Sequence, residues 1–272
     1  MAEASHAWQQ RVKWLVYALL FMNFVLYVVQ DAESAAYVLP AHPSFREWAR
    51  AYVTSIDLAA WIVLILLFEL ETYVLSDRVW KGAVKWATQG MRTVCYVAIL
   101  HTTLTDAGNL RDFQTAQLLP AASTPCDFID GWSFLRNRGY TQLDADNCDK
   151  QGVGPDYFVI APDPVITDRA GLREGLILAW TDIVENLAWL AIVFFNESLV
   201  RIQERGLPNR ALLGFSNWAK AALYGLIIAI ALYWGSKGEF LYLWDELLWV
   251  CGFFAIEKNL LEWRAALIRQ RA

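Results

Sequence analysis

Apolar and polar positions fall along this chain in long blocks rather than at the short periods of a soluble helix or strand. Six apolar blocks are readable, at 14–29, 58–75, 86–104, 176–195, 218–234 and 240–256. Each is close to the ~20 residues that a helix needs to cross ~30 Å of hydrocarbon. A helix is the spanning form such unbroken runs allow, because it satisfies its own backbone away from water. The pattern predicts an all-α integral membrane fold with six transmembrane helices. Residues 108–166 are polar, with Gly, Pro and Asp spread throughout, and predict a long loop with little regular structure of its own. Ser44-Phe45-Arg46-Glu47 has the form of a capping box, so the second helix is expected to start well above the bilayer. Asp168, after Pro162 and Pro164, is a candidate cap for the fourth.

A second pattern lies on top of the blocks. Three tryptophans, Trp61, Trp189 and Trp249, have an acid four residues before them (Asp57, Glu185, Asp245) and a glutamate eight residues after (Glu69, Glu197, Glu257). None of the other tryptophans has both. All three copies fall on even-numbered spans. The odd spans begin with Lys13-Trp14, Lys85-Trp86 and Asn217-Trp218. A spacing that recurs in this way marks an internal repeat, here three helical hairpins with a pseudo-threefold arrangement about the membrane normal. The expected organisation is hairpin 1 over residues 1–75, hairpin 2 over 76–200 with an extracytoplasmic loop at 106–174, and hairpin 3 with a tail over 201–272.

Charge orients this arrangement. Arg11 and Lys13, then Arg78, Lys81, Lys85 and Arg92, then Arg201, Arg205 and Arg210, and finally Lys258, Arg264, Arg269 and Arg271 all fall on one side. The long loop is rich in acids. Lys and Arg excess marks the cytoplasmic side, so both termini are expected there and the loop outside, periplasmic or extracellular. Cys126 and Cys148 both lie in that loop, where a disulfide would persist; closing about 20 residues would stabilise it by ~3 kcal/mol. The first block is read as a retained span rather than a cleaved signal, because the repeat includes it.

Composition agrees. Of 272 residues 57% are hydrophobic, 14 are Trp and 19% are charged, which would leave a soluble chain with extensive exposed apolar surface. A net charge of −5 without basic runs argues against nucleic acid as a partner. There is no glycine-rich phosphate loop, no His-rich cluster and no nucleophile–base spacing. No cofactor is expected, the identity of any metal is left open, and the balance leans away from an enzyme.

The chemistry of interest is the set of acids inside the spans, since an ionisable group there is costly and is a site candidate by default. Asp182, Glu185 and Asn186 lie on one helix side by their spacing; Asp245 and Glu246 occupy the sixth span and Asp57 the second. If the hairpins superpose, Asp57, Glu185 and Asp245 share one level, where their oxygens could hold a small monovalent or divalent cation or share protons. The inner row, Glu69, Glu197 and Glu257, is expected to serve packing by accepting indole N–H bonds or pairing with lysine. Two functions follow: a cation or proton channel or transporter working through buried carboxylates, or a structural or assembly subunit whose outer loop binds a protein partner. Oligomeric state is left open.

Overall fold

A computed structural model of the chain describes residues 2–70, 82–121, 123–204 and 210–253. Its helices are α1 (Ala2–Val38), α2 (Phe45–Ala51), α3 (Val53–Glu69), α4 (Ala83–Gln114), α5 (Arg169–Glu204), α6 (Arg210–Ser236) and α7 over 240–253. Among the described residues, three helical segments are long and apolar enough to cross a membrane: Arg11–Val38, Arg169–Asn196 and Gly214–Ser236. The pair α2 and α3, bent by 75° at Tyr52, makes a fourth if counted as one broken span. The block at 86–104 is helical within α4, but Gln89, Gly90, Arg92, His101 and several threonines dilute its hydropathy. The sixth block runs past the described residues.

The chain divides into two compact units, residues 24–183 and residues 1–23 with 184–272. These boundaries do not follow the expected hairpins.

In the first unit α3 packs along α4. Both present buried residues at helical spacing: Leu58, Trp61 and Ile65 on α3, and Cys95, Ile99, Thr102, Asp106 and Leu110 on α4. The Ser44 capping box forms as its sequence predicts. The Ser44 hydroxyl accepts from the Glu47 amide, and the Glu47 carboxylate accepts from the Ser44 amide at 2.7 Å. Where α2 gives way to α3, the free amide of Ser55 in the first turn of α3 needs an acceptor. Asp31 on α1 supplies it, taking both the Ser55 N–H (2.8 Å) and its hydroxyl (2.7 Å).

The loop departs from an all-α expectation. It folds as a five-stranded sheet of β1 (Gln117–Leu118), β2 (Ser133–Arg136), β3 (Gly139–Gln142), β4 (Tyr157–Val159) and β5 (Val165–Asp168), in the order β1-β4-β5-β2-β3. β2 and β5 pair in parallel; the other pairs are antiparallel. Strands of two to four residues are too short to show a period of two between their turns, and this hid the sheet from the sequence. Its central strands are buried on both faces. Phe134 and Ile166 pack with Leu143 and the expected Cys126–Cys148 disulfide on one side. Leu135 and Val165 pack with Val38 and Phe113, at the ends of α1 and α4, on the other.

The sheet is tied to α5 at Asp168. This side chain has no exposed surface and accepts from the Gly171 amide (2.6 Å), the Val153 amide (2.8 Å) and Arg136 Nη1 (3.1 Å). Asp168 therefore caps α5, as its position in the sequence suggests, and also anchors the β2 end. The junction is tight: a Cβ at Gly171 would run into the Thr167 hydroxyl and lie 3.2 Å from the Leu135 carbonyl.

Candidate functional site

In the unit formed by residues 1–23 and 184–272, four helices bring polar side chains into one cluster, part buried and part half-buried. α5 supplies Glu185 and, one turn on, Trp189; α6 supplies Trp234; α7 supplies Asp245 and Glu246; α1 supplies Asn23. Glu246 is 4% exposed, and Asn23 and Trp234 have no exposed surface. The indole N–H of Trp189 donates to Glu246 Oε2 at 3.0 Å, and that of Trp234 to Glu185 Oε2 at 3.0 Å. The amide nitrogen of Asn23 donates to Asp245 Oδ1 at 2.6 Å. Glu246 also lies close to the carboxyls of Glu185 and Asp245. Aromatic rings wall the cluster: Tyr242 lies 5.4 Å from Trp234, and Phe253 lies 5.2 Å from Trp189, between ring centroids. Each carboxyl is thus held by a donor that cannot itself ionise, on a different helix from its own.

Three of the expected site residues, Glu185, Asp245 and Glu246, come together here, and Asn186 lies beside Glu185 on α5 in the same unit. Asp57 and Asp182 belong to the other unit. There Asp182 Oδ1 is paired with Arg138 Nη2, which the β2–β3 turn presents through Asn137 at φ 56°. Glu69 is partly buried at the end of α3. Glu257 and the side chain of Glu197 lie outside the described residues. Of the repeat tryptophans, Trp61, Trp189 and Trp249 are 9%, 8% and 5% exposed, whereas Trp14, Trp86 and Trp218 are 67%, 78% and 71% exposed.

Sequence reasoning missed Asn23 and Trp234. The signal for Asn23 was present, since it is the one amide side chain inside the first apolar block. Trp234 carries none, because nothing local distinguishes an indole that bonds a carboxylate from one in an aromatic belt.

Asn109, Asp112, Asp163, Tyr140 and Glu47 surround a second polar group, Arg50, in the unit of residues 24–183. Arg50 Nη2 reaches Asp112 Oδ2 at 2.7 Å, Asn109 Oδ1 at 3.2 Å and Asp163 Oδ2 at 3.4 Å. Burial pushes the Asp163 carboxyl above its ordinary value, Arg50 pulls it back, and Asp112 and Glu47 push it up again. Burial, then Asp163, raises the Tyr140 hydroxyl likewise, against Arg50 and Arg138. The exposed Glu47 carboxyl is lowered by the Ser44 amide and hydroxyl.

A carboxyl raised on folding binds its proton more tightly in the folded state, so the stability it confers falls as pH rises from the ordinary value, 3.8, through the raised one. The contribution of Glu47 has the opposite sense and is lost as pH falls through its lowered value. Asp163→Asn is expected to flatten the loss of thermal stability as pH rises above 3.8 while leaving the Glu47 limb in place. Parallel pH profiles of unfolding midpoint for variant and parent would contradict this.

Compared with protein-family models, with curated proteins and with solved structures, the chain matches none. The reading of its function therefore rests on its own residues.

Proposed function

We propose that this chain is a multi-pass membrane protein that moves or gates a small cation or a proton through the half-buried carboxyls of Glu185 and Asp245 and the buried carboxyl of Glu246, with Asn186 beside them. The single observation that carries the reading is the burial of Glu246 on α7 against the carboxyl of Glu185 on α5, with Asp245 next to it on its own helix. A protein that needed only tight packing would be served better by apolar groups of the same shape, since removing charged groups from water costs several kcal/mol each. Acids placed together at depth in a membrane mark ion pathways and proton relays.

The proposed architecture has six spans in three hairpins, with both termini cytoplasmic and the disulfide-bonded sheet on the outer side. The sorting of the repeat tryptophans supports the repeat: Trp61, Trp189 and Trp249 are buried, and Trp14, Trp86 and Trp218 at the starts of odd spans are exposed where an aromatic belt would lie.

Reconstituted in liposomes, the protein is expected to carry ion flux that falls about tenfold or more in Glu185→Gln and in Asp245→Asn. Flux equal to the parent in both variants would end the proposal.

The second reading, an assembly subunit, is favoured by Leu118, Ile129 and Val153, apolar residues of the sheet and its loops that are 57%, 38% and 77% exposed. On that reading the indole–carboxyl bonds only fix helix packing. It predicts no flux from the purified protein and a membrane partner that is lost when Val153 and Leu118 are replaced by serine.

A further inference from the structure

We infer that the ion this cluster handles is the proton, exchanged between Glu246 and its neighbours Glu185 and Asp245, with the buried amide of Asn23 as a hydrogen-bonding member of the site. The inference rests on the carboxyl-route reading above and narrows its cargo.

The donor set is the first argument. A hard metal cation needs several bare oxygens converging at 2.0–2.6 Å, roughly six or more of them. Here an N–H hydrogen points at each carboxyl: Trp234 at Glu185, Trp189 at Glu246 and Asn23 at Asp245. Each places the positive end of a dipole where a metal would need a lone pair. Among the described residues no three His, Cys, Asp or Glu side chains are arranged to hold a metal ion.

Hydrogen-bond bookkeeping supplies the second. Two ionised carboxylates are both acceptors and cannot bond to each other. Glu185 and Glu246 lie against each other, an arrangement that one proton held between them would satisfy. Asn23 supplies the third. It has no exposed surface, its nitrogen donates to Asp245, and among the described residues its Oδ1 has no donor. A buried carbonyl oxygen in that position is costly unless something donates to it, and within this cluster an O–H from a protonated carboxyl, or from a hydrated proton, is the donor it fits. The rings beside the cluster, Tyr242 against Trp234 and Tyr224 against Trp189, add no cation. The exchange is a plain proton transfer: the O–H bond of one carboxyl breaks, its electron pair stays on that oxygen, and a lone pair of the neighbouring carboxylate takes the proton.

Two measurements test it. In liposomes containing a pH-sensitive dye, with a potassium diffusion potential set by valinomycin, the protein is expected to acidify the lumen and to pass no Na⁺ or Ca²⁺. Glu246→Gln, which keeps size and can still accept from Trp189, is expected to slow acidification about tenfold or more. Sodium or calcium flux that Glu246→Gln removes would overturn the proton assignment while leaving the carboxyl route standing. Absence of any flux from the unsubstituted protein would overturn both. Should Glu246→Gln fail to fold, infrared spectroscopy of the unsubstituted protein and of Glu185→Gln decides. A protonated-carboxyl C=O band at neutral pH that shifts in D₂O and is lost or displaced in Glu185→Gln supports the shared proton. No such band, or one unchanged in Glu185→Gln, overturns it.

Discussion

Asp168→Ala is expected to cost about 3–5 kcal/mol, the range for removing one partner from a buried, hydrogen-bonded charge. The carboxylate is fully buried and serves three donors at once: the Gly171 amide in the first turn of α5, the Val153 amide in the preceding loop, and Arg136 at the end of β2. Alanine leaves both amides without an acceptor. Arg136 is half exposed and can turn to water or to Glu174, 3.8 Å away, so most of the loss belongs to the two amides and the cap. The neighbours cannot close in, because Gly171 already leaves no room for a Cβ. Asp168→Asn keeps one acceptor oxygen and is expected to fall between parent and alanine. Thermal or denaturant unfolding in detergent reads the effect, and an unchanged midpoint for Asp168→Ala would refute this account of the junction.

Asp31→Ala should cost about 2–3 kcal/mol, by uncovering two buried donors at the bend between α2 and α3. Asp31 and Ser55 are 8% and 7% exposed, so water does not readily replace the carboxylate. The carboxylate does the work of an N-cap from another helix. Tyr52, at the N-cap position of α3, makes no side-chain cap of its own, and the amides of that first turn still need an acceptor. Asp31→Asn is expected to recover part of the loss, since its amide oxygen can accept from one of the two donors. The readouts are unfolding midpoint and protease susceptibility near Tyr52. Equal behaviour of the alanine variant and the parent would show that the bend holds without Asp31.

How far the sequence could be read differs from residue to residue. Ser44 and Asp168 were legible as caps because a cap is a local event, decided within three or four residues. The Cys126–Cys148 bridge was legible because two cysteines share one loop. Glu185, Asp245 and Glu246 stood out because an acid in an apolar block is conspicuous wherever the helix goes. Asp182 stood out for the same reason, yet its partner, Arg138, lies 44 positions earlier on a strand turn that no pattern announced. The sheet itself was illegible, its strands being shorter than the periodicity needed to see them. Asp31 gave no sign of its role because the amide it serves lies on another helix.

From the order of its residues alone this chain is committed to helices long and apolar enough to span a membrane, to a polar segment between two of them, to its caps and to a set of acids inside its apolar blocks. Each of these depends on solvent transfer or on neighbours within one helical turn. Tertiary structure alone decided that the polar segment is a sheet locked to α5, that Asp182 is held by an arginine, and that Glu185, Asp245 and Glu246 meet around Asn23 under two indoles. The last of these turns on which helix faces pack together, and that choice is made by contacts between residues some 50 to more than 200 positions apart.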